Sequence, residues 1–290
     1  MVVEEPEPFH CASETDAAPP HANGRRRAEP TQSDCEDWQS GNISSSTSYR
    51  QSHISPGYAE YYEKTYAEGY YAIQWEQVEK PLVRTILAGL AQRGAAHSLD
   101  FACGTGRILQ LHGEVFDDVV GTDISAEMLA VARLRCPEAR IVEADLTTTG
   151  VSGHVAGRQV CTAFRFFLNA EPALRADVLE VLRRCLVEGG HLVANFHCNP
   201  ASPAGTFYRI RNRLSGRTIN NLMSIGEAEA LLRTHGFTIQ AVHRYGLWPR
   251  FGWRFNRMNE LLLTPAETLG RQAPVLMRFA QSFIIVARRD

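Results

Sequence analysis

No apolar run in this chain approaches the roughly 20 residues needed to cross a bilayer, so a membrane span is not expected. Paired cysteines are missing as well. The seven present (Cys11, Cys35, Cys103, Cys136, Cys161, Cys185 and Cys198) are odd in number and scattered, with no Cys-x-x-Cys. That argues against a disulfide framework or a zinc ribbon, predicts no metal site, and points to a reducing compartment. Charge of one sign is also lacking: 30 basic against 32 acidic residues leave a formal −2, with no overall attraction to nucleic acid or anionic lipid. The amino terminus, MVVEEPEPF, is acidic and broken by prolines where a signal peptide would be basic and then apolar. The expectation is a cytoplasmic globular protein, and 290 residues suffice for one large domain or two small ones.

What is present falls into two regimes. Residues 1–48 are rich in Pro, Ser, Glu and Asp and show neither helical nor strand periodicity. They cannot bury enough apolar surface to offset their ordering entropy, so a disordered tail is expected, with Arg25, Arg26 and Arg27 merely solvated. From Tyr49 to the end, short apolar runs alternate with helical patterns. Strands are expected at Ser98–Ala102, Asp118–Thr122, Arg140–Ala144, Gln159–Phe164 and His191–Phe196. Helices are expected near Arg107–His112, Ala126–Arg135 and Ala173–Leu186, the last with Leu174, Val178 and Leu182 in register behind Pro172. Alternation of this kind predicts an α/β fold, a mostly parallel sheet with helices on both faces. Ser224 and Glu227 have capping-box spacing and open a helix ended by Gly236. Strands then follow at Phe237–Arg244 and Ser282–Arg288. With no clear helical crossover between them, these two are expected to pair antiparallel.

The chemistry concentrates at the first strand-to-helix turn. Ser98-Leu99-Asp100-Phe101-Ala102-Cys103-Gly104-Thr105-Gly106-Arg107 sets an acid at the end of an apolar strand and a Gly-x-Gly turn just after it. Glycine allows close approach of a ligand to the backbone, and the next helix points its free N–H groups into the same space. A second acid, Asp123, ends the next strand, where an α/β nucleotide site places a carboxylate for ribose hydroxyls. A third, Asp145, ends the strand after that. A dinucleotide site would require Gly-x-Gly-x-x-Gly, but Leu109 holds the third glycine position. Asp100 would also repel a pyrophosphate and suits a cationic amine. A ligand with an ammonium group, a ribose and an adenine but no phosphate is S-adenosylmethionine.

At this point the sequence resembles the class I S-adenosylmethionine-dependent methyltransferases of small-molecule type. The resemblance runs from about Tyr58 to Arg289 and rests on LDFACGTGR, GTDIS, EADLT, LVEGGHLVANFH and LLRTHGFTI. It implies a Rossmann-like sheet of about seven strands with a reversed last strand. It further implies Asp100 near the methionine end, Ala102, Gly104 and Gly106 against the cofactor backbone, and Asp123 with Ile124 at the ribose. Asp145 and Leu146 would flank the adenine, with Met128 and Phe164 as apolar walls. Ala102 departs from the pattern, standing where many members have glycine.

Alignment of a nucleophile with an activated methyl carries most of such a reaction, positioning being worth roughly 7–11 kcal/mol. Candidates therefore lie where the fourth and fifth strands end. His197 is the expected general base. Glu171 is an alternative base and Arg165 a clamp for an anionic substrate, while Asn195 and Asn199 would orient the acceptor. Tyr58, Tyr62 and Tyr66 share one helical face in an aromatic segment (about 56–93) expected to act as a lid. An insertion at about 199–222, carrying Arg209, Arg211, Arg213 and Arg217, sits where the family shapes its acceptor pocket. The expected activity is methyl transfer to oxygen, nitrogen or carbon of a metabolite, natural product or glycan precursor. The alternatives are a nucleic-acid methyltransferase, disfavoured by FRFF at the fourth-strand exit, and a non-catalytic cofactor-binding protein. The residues say nothing of oligomeric state.

Overall fold

Strands whose side chains alternate between two apolar layers make the centre of the molecule. The computed structural model describes residues 49–151, 153–216, 218, 221–248 and 256–290. The expected tail at 1–48, with its arginine triplet, and Arg217 lie outside them. The sheet contains β1 (His97–Phe101), β2 (Asp118–Asp123), β3 (Arg140–Glu143), β4 (Arg158–Ala163), β5 (Leu186–His197), β6 (Phe237–Tyr245) and β7 (Ser282–Arg289). Their order is β3-β2-β1-β4-β5-β7-β6, parallel from β3 to β5, with β7 antiparallel to both β5 and β6. The α/β reading and the antiparallel last strand both hold.

Successive residues divide between the two layers, as the two-residue period of a strand requires. Leu99, Cys161, Leu192, Phe196 and Phe283 pack on one face, and Val119, Val160, Val193 and Ile284 on the other. The helices, in chain order, are α1 (Tyr49–His53), α2 (Tyr58–Ala67), α3 (Gly69–Gln74), α4 (Lys80–Gln92), α5 (Arg107–Gly113), α6 (Ala126–Arg135), α7 (Leu146–Thr149), α8 (Pro172–Cys185), α9 (Pro203–Ser215), α10 (Ile225–Thr234) and α11 (Asn256–Gln272). Leu174, Val178 and Leu182 of α8 are buried against the first face, while Val83, Leu87 and Leu90 of α4 cover the second. Ser224 and Glu227 form the expected reciprocal cap at the start of α10. Between α3 and α4 the chain passes through a π-helical turn, Trp75–Glu79, of a kind frequent at functional sites.

One connection differs from expectation. β6 and β7 do pair antiparallel, but the 17-residue α11 lies between them and packs on α3. Pro265 in its middle reads as a helix stop in sequence, yet here the helix runs through it. The insertion after β5 holds a helix, α9, opened by Ser202 Oγ accepting from the Gly205 N–H and by Pro203 in the first turn.

Beneath β1 runs a buried polar chain. Ser98 Oγ lies 2.9 Å from His112 Nδ1, and His112 Nε2 lies 3.0 Å from Thr162 Oγ1, which in turn donates to Asp100 Oδ1 at 2.6 Å. Burial pushes the His112 imidazole down to about 3. The unfolded chain, with an ordinary histidine near 6.5, therefore binds more protons between these values, so this stability is present above 6.5 and lost as pH falls. Urea unfolding of the native protein is expected to lose about 1 kcal/mol more per pH unit between pH 6 and 4 than unfolding of His112→Gln. Equal slopes would show that His112 is not held neutral.

Candidate active site

The turn after β1 is shaped by steric limits that the sequence states openly. Gly106 has φ 83°, and a Cβ there would come within 3.2 Å of the Ala132 backbone, so the turn and α6 close on each other. Leu109, which displaces the third glycine of a dinucleotide motif, is fully buried against β2. A Cβ at Gly121 would meet it at 2.7 Å, so the glycine needed for close helix–strand packing has moved to the strand. Arg135 fastens the turn from outside, donating to the Thr105 carbonyl at 2.7 Å and to Glu63 of α2 at 2.6 Å.

Three carboxylates follow from the ends of β1, β2 and β3, each in a different electrostatic state. Asp100 is buried, and desolvation lifts its carboxyl to about 7; Oδ1 is held by Thr162 while Oδ2 has no partner. Asp123 accepts the Gly104 N–H at 2.8 Å and the Ser125 N–H at 2.9 Å, yet burial still raises it. For Asp145 burial again works upward, but hydrogen bonds from Thr147 and Arg50 outweigh it and hold the carboxylate below its ordinary range.

These acids line two cavities that share Ala102 and Asp123. The smaller, about 50 Å³, is walled by Ile124, Asp145, Leu146 and Phe166 and roofed by α1, whose Arg50 pairs with Asp145 at 2.7 Å. The larger, about 570 Å³, takes in Asp100, Gly104, Met128 and Phe164 at one side and Tyr62, Tyr66, Arg165 and His197 at the other. Every expected cofactor residue except Gly106 lines one or the other. Gly106 sits behind the turn, where its conformation matters. Tyr58, Tyr61, Tyr62, Tyr66, Tyr71 and Trp75 all face the larger space.

Strain gathers at this rim. Among the described residues the only non-glycine positions with left-handed backbone are Ala102 (φ 53°), Arg165 (φ 57°) and Cys198 (φ 64°). They follow β1, β4 and β5, and all three line the larger cavity. Such residues cluster at functional sites at about 1–3 kcal/mol each. Arg165 is fixed by Glu79, whose side chain is 2% exposed: Nη2 donates to Glu79 Oε2 at 2.8 Å, while Tyr245 Oη donates to Oε1 at 2.9 Å.

Four expected acceptor residues stand elsewhere. Asn195 is buried behind the rim, accepting the Arg165 N–H and donating to Glu79. Asn199 is buried and donates to the carbonyls of Arg278 and Ala280, tying β5 to the approach of β7. Glu171 accepts the main-chain N–H of Tyr49 at 2.7 Å and so anchors α1. Arg209 is exposed and turned off the cavity, which instead receives Tyr208 and Arg211 of the same helix. His197 does line the cavity, with Nδ1 unpartnered, but desolvation and then Arg165 push its imidazole down to about 3, so it is neutral and weakly basic. The sequence reading passed over Glu79 and Tyr245. One signal was available: an acid in helical register with Val83, Ile86 and Leu90 is an acid on an apolar face.

The profile of the methyltransferase domain family matches residues 99–190, which span β1 to the start of β5. A curated relative, dTDP-3-amino-3,6-dideoxy-alpha-D-glucopyranose N,N-dimethyltransferase of Streptomyces fradiae, is 44% identical over 63 residues, 21% of this chain and 25% of that protein. The match thus spans about a quarter of the relative's length. Among solved structures, magnesium protoporphyrin IX methyltransferase of Synechocystis, with bound S-adenosylmethionine, superposes with a TM-score of 0.52. It is 15% identical over 83% of this chain and 95% of that one. A TehB-like methyltransferase of Corynebacterium glutamicum gives 0.51 at 18% identity, covering 81% and all of the two chains. Residues 99–190 thus match a methyltransferase domain, and the chain shares its fold with these solved methyltransferases.

Removing one partner of a buried ion pair leaves the other uncompensated, at about 3–5 kcal/mol. Glu79→Ala is expected to lower the unfolding free energy toward the lower end of that range, because Arg165 keeps some access to water. A loss below about 1 kcal/mol in urea titrations would contradict the anchoring role.

Proposed function

We propose that this protein transfers a methyl group from S-adenosylmethionine to an oxygen, nitrogen or carbon nucleophile of a small molecule, in the cytoplasm and without nucleic acid or membrane as partner. The observation that carries the reading is the row of three carboxylates along two cavities that share Ala102 and Asp123. The residues fit the group. Asp100, with one buried oxygen unsatisfied, suits the cationic methionine end; Asp123 has lone pairs left for ribose hydroxyls; Ile124, Leu146 and Asp145 suit the base. Gly104 leaves room for the close approach, and Met128 and Phe164 supply apolar contact. Bound there, S-adenosylmethionine supplies an electrophilic methyl group.

The chain's own part is to orient the acceptor and keep water out. The volume of the larger cavity lies within the range of ordinary small-molecule pockets. The tyrosines of α2 shield it. His197, neutral at physiological pH, takes the role of hydrogen-bond acceptor toward the nucleophile rather than strong base. Tyr62 and Tyr66 pack on the acceptor, and Arg165 stands beside it. The Streptomyces relative methylates, by its name, an amino group of a sugar.

Two measurements test the cofactor half. Asp123→Ala is expected to weaken S-adenosylhomocysteine about 100-fold in calorimetry with a near-native circular dichroism spectrum, since hydrogen bonds to a charged group are worth about 1.5–3 kcal/mol each. Unchanged affinity would contradict the ribose assignment. Asp100 is partly protonated near pH 7 and must ionise beside a cation, so binding is expected to release a fraction of a proton at pH 7 and to tighten as pH rises toward 8. Calorimetry in buffers of different ionisation heat reads this directly, and release that persists in Asp100→Asn would assign it to another group.

A further inference from the structure

Two guanidinium groups share one aromatic ring inside the larger cavity. The guanidinium carbon of Arg107 lies 3.7 Å from the Tyr66 ring centroid and 4.4 Å from that of Trp75, and that of Arg165 lies 4.9 Å from the Tyr66 centroid. The two cations are therefore no farther apart than their offsets from Tyr66 together allow. Like charges that close repel, and Arg107 Nη1 is buried with no hydrogen-bond partner. An orphaned charged donor in a dry site costs free energy unless something fills its place.

Two of the acids nearby are already engaged. Glu79 is taken up by Arg165, Tyr245 and Asn195, and Asp123 by the N–H groups of Gly104 and Ser125. Asp100 sits at the root of the glycine turn, tied to Thr162. Glu79 is the sole hydrogen-bond partner of the Arg165 guanidinium among the described residues, and it engages Nη2 only, so most of that planar fork stays available. Arg211 adds a third cation to the cavity lining. Arginine covers the rings of Tyr66, Trp75 and Tyr71, and this part of the cavity therefore disfavours a cationic group.

We propose that Arg107 and Arg165 form an anion subsite that holds a phosphate or carboxylate group of the methyl acceptor. This rests on the reading that the row of carboxylates holds S-adenosylmethionine, and its rival is that the pair serves the carboxylate of that cofactor. The acceptor would be an anionic small molecule, bound through its charged group over Tyr66 and Trp75, with its nucleophile directed toward His197. Planar, bidentate recognition of such groups is what distinguishes arginine from lysine.

The test uses the full chain saturated with S-adenosylhomocysteine, titrated calorimetrically with inorganic pyrophosphate, with citrate and, as a cation control, with tetramethylammonium. Saturable binding of pyrophosphate or citrate, and none of tetramethylammonium, is expected, the tighter anion indicating phosphate or carboxylate as the natural group. Arg107→Gln and Arg165→Lys should each weaken it about tenfold or more while leaving S-adenosylhomocysteine affinity within twofold. Arg165→Lys retains a charge for Glu79, and Arg107→Gln leaves that pair intact, so one of them reports even if the other is poorly folded. Competition between pyrophosphate and S-adenosylhomocysteine would give the arginines to the cofactor and overturn the proposal. So would absence of anion binding, or binding indifferent to both substitutions. If S-adenosylhomocysteine itself fails to bind, the cofactor reading falls separately, and the same titration on the free protein still decides whether the two arginines hold an anion.

Discussion

A carboxylate kept dry at the end of the first strand is the constraint on which the rest of this site depends. Asp100 can lie there only because Thr162 on the neighbouring strand donates to it, and Thr162 is in turn held by an imidazole that the core forces to stay neutral. The chain of Ser98, His112, Thr162 and Asp100 joins β1, α5 and β4 beneath the glycine turn. It leaves one Asp100 oxygen unsatisfied, and that surplus is what a cationic ligand can use.

The same economy governs the opposite rim. Arg165 is held by a buried Glu79, which receives further bonds from Tyr245 on β6 and Asn195 on β5. The site is thus bounded by two polar clusters set into apolar layers, one around Asp100 and one around the Arg165–Glu79 ion pair. The reversed β7 matters here because it brings β6, and so Tyr245, to the edge of the sheet where the cluster needs a donor.

The parallel sheet, the reversed final strand, the capping box and the positions of Asp100, Asp123 and Asp145 were legible because each follows from local pattern: a two-residue or four-residue period, a cap spacing, an acid at a strand end. What was not legible depends on contacts between distant segments. Asn195 was read toward the cavity because it ends a strand there, but side chains alternate along β5, and the face of His197 shared by Asn195 is filled by Glu79 and Arg165 from other elements. Glu171 belongs to α1 through a bond across 122 positions of chain. His197 looked like a base from its ordinary titration range, which desolvation and a neighbouring cation remove.

The left-handed backbone at Ala102, Arg165 and Cys198 bears on how this molecule tolerates change. With whole domains stable by about 5–15 kcal/mol and each such residue costing about 1–3 kcal/mol, three together absorb a considerable fraction of the margin. The rim is consequently the least forgiving part of the protein, sensitive to second hits in the layers behind it. Residues that look purely structural, such as Phe196 or Val193 along the inner strands, carry the burden of keeping three awkward turns in place, so damage to the hydrophobic interior would surface first as a misshapen mouth.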